Sequence, residues 1–250
     1  MSAATSITNV NIPSFTASLG KSIAGCGCLE DAAQKVTDLV YSEFKSSVVL
    51  ARLFATVPFE MLPASNKEFV RNLADTKGLT PRLTNHSPIL SLMGTSGQED
   101  AWNDRHKSRG HVGIPLVSAD FIDEIPMVSR LLKSLGFSSD WLSGNGTGIT
   151  QETMGKTAGI FYVSDARTAV DEKGRKIIAA QDFVAKYNVR AVFGTGGGYI
   201  HDATFIVLIV FTREQIDEER AQCFLPLATV IKAATTGLVL RGRIFNTAIN

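Results

Sequence analysis

Two apolar segments in the last third of the chain restrict the fold more than any other feature. VRAVFG (189–194) and ATFIVLIVF (203–211) are rich in β-branched and aromatic residues, and the connection between them, TGGGYIHD (195–202), is rich in glycine. Two such strands in succession form an antiparallel hairpin, with the glycines expected to supply positive φ angles at its turn. A phosphate-binding loop would need a helix N-terminus directly behind the glycines, whereas here a strand follows. Behind the second strand, Thr212-Arg-Glu-Gln215 has the form of a capping box, and Ile216, Cys223, Leu227, Val230, Ala234 and Leu238 recur at helical spacing. The spacing predicts one closing helix of roughly 25 residues.

Upstream, the interval of four between Phe15, Leu19 and Ile23 predicts a short helix ending at Gly25. The stripe Leu29, Ala33, Val36, Val40 and Phe44 predicts a second helix, with Glu30 and Asp31 where the helix dipole favours acids. SVVLARLFAT (47–56) suits a strand with one face covered, Arg52 being its charged interruption and Pro58 its end. Ser65-Asn-Lys-Glu68 reads as a capping box for a helix over about 66–76, stopping at Gly78. PILSLM (88–93), HVGIPLV (111–117) and AGIFYVSD (158–165) are further strands. Ser118 caps a helix carrying Phe121, Ile125, Val128 and Leu132 that ends near Gly136, and Pro126 within it imposes a kink or a late start. Residues 138–157 read as a loop or flap, Asp171-Glu-Lys-Gly174 as a turn, and 180–186 as one or two helical turns. Residues 1–14 are small, polar and without period, a flexible or docking arm. The rest, 15–245, is expected to be one domain with an insertion over 95–157.

Composition removes several function classes. With 25 Lys+Arg against 24 Asp+Glu, the chain lacks the excess positive charge that holds nucleic acid by counterion release. The longest strongly apolar run, Ala203 to Phe211, is nine residues, about half of the ~20 a spanning helix needs, so no membrane is expected. No export signal is expected from the N-terminal residues, and three cysteines, an odd number, are not expected to make a disulfide framework. A reducing, cytoplasmic setting is the expectation.

Strands grouped between helices at the two ends define an α+β sandwich with a central antiparallel sheet of about six strands, not a doubly wound parallel one. At this point the chain resembles a GAF-like sensory domain, a relative of the PAS modules. The resemblance is carried by the leading helix Leu29–Phe44 running into the strand Val48–Thr56, and by the closing hairpin, Thr212 cap, acidic residues and apolar-striped helix. It covers about two thirds of the chain; residues 95–157 are longer than the family carries there. Similar sequences form N-terminal sensor regions of histidine kinases and nucleotide cyclases, so the chain looks like a sensor without its output domain. The resemblance implies a small-molecule or cofactor ligand and a signalling partner. It leaves haem possible, with one of His86, His106, His111 and His201 as axial ligand, and leaves open a thiol enzyme of the methionine sulfoxide reductase kind using Cys26 or Cys28.

The densest polar cluster is WNDRHKSRGH (102–111). Arg105 and Arg109 could clamp an anionic ligand in bidentate fashion beside Trp102, His106 and His111. Equally, they could form a salt-bridged loop with Glu99, Asp100, Asp104 or Asp120. Asp182 adds an acid on the 165–183 stretch, either toward a ligand or paired with Arg190. The ligand is expected between the sheet and the 95–111 and 165–183 segments. The closing helix carries apolar positions to Leu238, more than one domain's core needs, which suggests a homodimer through terminal helices.

Overall fold

FIVLIVFT and VVLARLFATVP are apolar at positions facing both ways, so both strands must be covered on both sides. They become the centre of the sheet. In a computed structural model describing residues 6–108, 110–136, 158–200, 202 and 204–246, six strands run in the order β3-β2-β1-β6-β5-β4. They are β1 (Val48–Pro58), β2 (Pro88–Gly97), β3 (Gly113–Pro115), β4 (Gly159–Val163), β5 (Ala191–Gly198) and β6 (Phe205–Thr212). All neighbours pair antiparallel. Eight helices flank the sheet among the described residues: α1 (Ile12–Ile23), α2 (Leu29–Glu43), α3 (Ala64–Thr76), α4 (Ala119–Asp123), α5 (Pro126–Ser134), α6 (Gln181–Lys186), α7 (Glu218–Gln222) and α8 (Leu225–Val239). This is the expected α+β sandwich with a central antiparallel sheet of six strands. The loop expected over 138–157 lies outside the described residues.

The sheet separates two cores. On one face α1, α2 and α8 bury Leu19, Val36, Phe44 and Ile231 against Leu53 and Leu208, with Phe44 edge-on to Phe15 at 5.0 Å and to Phe224 at 6.0 Å. The opposite face carries Leu50, Phe54, Phe161, Val207 and Phe211 beneath α4, α5 and the 164–190 segment. α2 sits directly on β2: a Cβ on Gly94 would come within 2.5 Å of the Ala33 carbonyl carbon and oxygen. Gln34 then caps the open edge of β2, donating to the Thr95 carbonyl at 2.8 Å and accepting from its amide at 3.2 Å.

Several expectations need correction. The glycines of TGGG lie inside β5, none with positive φ. Gly194 and Gly196 face the β6 backbone so closely that a Cβ would stand 2.9 Å from Leu208 O and 2.4 Å from Ile206 O. Close approach is thus what demands glycine, and the hairpin is closed beyond β5 by Tyr199 N donating to Thr204 O at 2.9 Å. The single closing helix is two, because Pro226 has no amide donor to continue the first. Its cap is Asp217, accepting from Arg220 N at 2.7 Å, while Thr212 ends β6. α3 starts at Ala64 behind Pro63, so Ser65 sits within its first turn and caps nothing.

The arm is docked from Ile7 onward. Ile7 is fully buried, its amide donating to Ser47 Oγ at 3.0 Å and its carbonyl accepting from Arg220 Nε at 2.9 Å. The stripe of α8 is likewise used within the chain: Leu227, Ile231 and Leu238 are buried, and α1 approaches so closely that a Cβ on Gly20 would meet Val230 Cγ1 at 2.9 Å. Part of the apolar surface behind the homodimer expectation is therefore covered by α1, while Val230 and Ala234 stay half-buried and Leu240 exposed. Glu218–Val239 is, by length and composition, the one described stretch able to cross a membrane, but it breaks between α7 and α8 and packs on the sheet.

Candidate ligand-binding site

Arg52 is the one charged residue in β1. Strand alternation turns it, with Leu50 and Phe54, to the face opposite α2, and its cross-strand neighbours are Thr95 on β2 and Ile209 on β6. Its Nη2 donates to Ser108 Oγ at 2.6 Å and its Nη1 to the Gly110 carbonyl at 3.5 Å. Nε has no partner among the described residues, and neither has Thr95 Oγ1, although both are buried. Burial pushes the Arg52 pKa down to about 10, which leaves the group charged at neutral pH.

Around Arg52 opens a hollow in two parts. A cleft of about 600 Å³ is bounded by Arg52, Thr95, Trp102, Lys107, Ser108 and His111. An apolar arm of about 280 Å³ runs under α5 and the 177–183 segment, walled by residues such as Phe54, Ile114, Leu131, Ile178 and Phe211. Arg52, Trp102 and His111 line both. Small-molecule sites are concave, mostly apolar, with few polar groups, and span roughly 300–1,000 Å³. No Asp or Glu lines either space among the described residues.

The walls are held from outside. Trp102 stands edge-on to Phe183 at 5.6 Å and to Tyr187 at 4.8 Å, and the Tyr187 hydroxyl donates to Glu99 Oε1 at 2.7 Å. His111 is pinned with φ +54°, and although its edge reaches water, crowding and then the Arg52 charge hold its pKa below the usual imidazole value. Above the arm, Lys173 donates to Asp123, and Arg175 Nη2 pairs with Asp171 Oδ2 at 2.6 Å. The Lys173 hydrogen bond lowers the Asp123 pKa. A carboxylate with a depressed folded pKa contributes stability above its unfolded value and loses it as pH falls through the folded one. Amide protection over residues 170–177 is therefore expected to be constant between about pH 5 and 8 and to fall below about pH 4, as hydrogen exchange would record.

Trp102 and His111 are the two candidates from the sequence that the hollow contains. Arg105 is turned away from it. Its guanidinium is buried, donates from Nε to Glu30 at the start of α2, lies 3.4 Å from Asn66 Oδ1 and stacks on Phe245 at 5.3 Å. His106 Nε2 lies 3.3 Å from the same Glu30 carboxylate. The ion-pair reading is right in kind and wrong in partner: none of Glu99, Asp100, Asp104 and Asp120 pairs with Arg105 among the described residues. Arg109 lies outside the described residues. Asp182 is exposed on the first turn of α6 and makes no ion pair with Arg190 among the described residues. His86 is exposed beside Glu60. The thiols stand on the α2 side, where burial raises Cys26 and pushes Cys28 up to about 11, away from the thiolate that nucleophilic sulfur needs.

Arg52, Thr95, Lys107 and Ser108 were missed. The signal for Arg52 was a lone charge in an apolar strand, which reads as solvent exposure unless the covering segments are known.

No family model and no curated protein matches the chain. Among solved structures, the phycocyanobilin-bound GAF domain from a cyanobacterial phytochrome is similar at 12% identity, covering 93% of this chain and 98% of that one with a TM-score of 0.49. The free methionine-R-sulfoxide reductase from Neisseria meningitidis with its substrate is similar at 12% identity over 96% and 99%, TM-score 0.46. The GAF domain of a phosphoenolpyruvate-protein phosphotransferase from Coxiella burnetii is similar at 12% identity over 93% and 96%, TM-score 0.46. These likenesses concern the course of the chain, not its ligand.

Proposed function

We propose that this chain is a sensory domain that holds a small molecule in the hollow between the sheet and the 95–111 and 177–183 segments. The observation that carries the reading is a two-part space with an apolar arm and, at its floor, buried polar atoms that no group among the described residues satisfies, Arg52 Nε and Thr95 Oγ1. Arg105 Nη2 and Arg213 Nε are also buried without a partner among the described residues but line neither space; only at Arg52 and Thr95 do the orphaned atoms coincide with open volume. The wall segment has a second side suited to output. Arg105 reaches Glu30, which accepts from the Asn246 amide at 2.8 Å, so a ligand moving residues 107–111 pulls on the C-terminal segment. The free cysteines suit a cytoplasmic setting. Native mass spectrometry of the purified protein, paired with thermal shift on a metabolite library, tests the reading. A retained or stabilising small molecule is expected; a chain that neither retains nor responds to any compound contradicts it.

A further inference from the structure

Resting on that reading, we propose that the hollow selects a monocarboxylate with an apolar aromatic or branched aliphatic body. The floor of the cleft carries one fixed positive charge, Arg52, and no Asp or Glu faces it among the described residues. A guanidinium withdrawn from water without a counter-ion is costly, and a bound anion offsets that cost. The donors then select the anion. Nη1 and Nη2 already hold the Gly110 carbonyl and Ser108 Oγ, which fixes the guanidinium plane and leaves Nε free. Thr95, the direct cross-strand neighbour of Arg52, presents a buried unpaired hydroxyl on the same face. Nε–H and this hydroxyl, both closed to water, are two donors on one face of adjacent strands, the number a carboxylate accepts through its two oxygens.

A phosphate monoester carries up to two charges and three terminal oxygens, and among the described residues the remaining cation at the mouth is poorly suited to the excess. Lys107 is mostly exposed and lies 3.7 Å from Asp104. His111 is held toward its neutral form by the crowding and the Arg52 charge described above. Beyond the head group, the arm offers Leu, Ile and Phe side chains and no charged group other than Arg52, so the body must be apolar.

The test uses three probes of one shape, 1-naphthoate, 1-naphthamide and 1-naphthyl phosphate, titrated calorimetrically into wild type, Arg52→Gln and Thr95→Val. Arg52→Gln removes the charge and the Ser108 bond while keeping most of the aliphatic stem, and Thr95→Val leaves the backbone bonds to Gln34 in place. Wild type is expected to bind naphthoate roughly ten- to a hundredfold tighter than the amide, the span of a hydrogen bond to a charged group. Each variant, still folded by its melting transition, is expected to lose most of that preference. Equal binding of acid and amide, a preference for the phosphate, or variants that keep the acid preference would overturn the inference and leave the receptor reading intact. Failure of all three probes overturns the inference. If no molecule is retained on native mass spectrometry either, the receptor reading falls with it.

Discussion

Arg105→Met is expected to lower the free energy of unfolding by about 3–5 kcal/mol, the usual result of breaking a buried ion pair from one side. The methionine replaces the aliphatic stem that packs near Phe245, but the Glu30 carboxylate, 8% exposed, is left with His106 and the Asn246 amide as its remaining partners. Urea unfolding monitored by circular dichroism measures the loss. The companion Glu30→Leu/Arg105→Met pair removes both charges and is expected to recover most of it, since an apolar pair of similar volume carries no uncompensated ion. A ligand clamp would behave oppositely: stability would hold and anion binding would vanish. Because Arg105 ties the 99–111 segment to α2, α3 and the C-terminal residues, the variant is also expected to loosen the wall of the hollow.

Gly94→Ala is expected to cost about 3 kcal/mol, at the upper end of what overpacking usually exacts. The added methyl would meet the backbone of α2, with Ala33 C and O at 2.5 Å and Gln34 N at 2.6 Å, and backbone cannot rotate aside as a side chain can. Relief requires α2 to lift from β2, which also breaks the Gln34 amide cage around Thr95. A lowered melting temperature with unchanged cooperativity checks the prediction. Gly25→Ala, at φ +89° with open space around it, isolates strain from clash and is expected to cost less, about 1 kcal/mol.

Much of the fold was legible because its elements have one apolar face and a single period. The α2 stripe, the Pro126 break between α4 and α5, and the turn at Gly174 follow from local chemistry that tertiary contacts reinforce. The site was less legible, since what decides it is which face of a strand another segment covers. Arg52 and Thr95 are far apart in sequence and become neighbours only through strand register. Glu30 read as a helix-dipole acid, and its role as the partner of Arg105 depends on a contact across 75 residues. The cluster at 102–111 drew attention for its charges, yet the fold splits it, sending Trp102, Lys107 and His111 to the hollow and Arg105 and His106 to α2. Glycine composition alone does not separate a turn from a strand pressed on its neighbour, and TGGG belongs to the strand.

Isoleucine methyl NMR during titration with 1-naphthoate tests the occupied hollow most directly. Ile114, Ile178 and Ile209 border the arm, while Ile7, Ile23 and Ile231 lie in the core across the sheet. Shifts concentrated at the first three are the predicted result. Shifts centred on the second three, or a spectrum that saturating naphthoate leaves unchanged, would contradict the account.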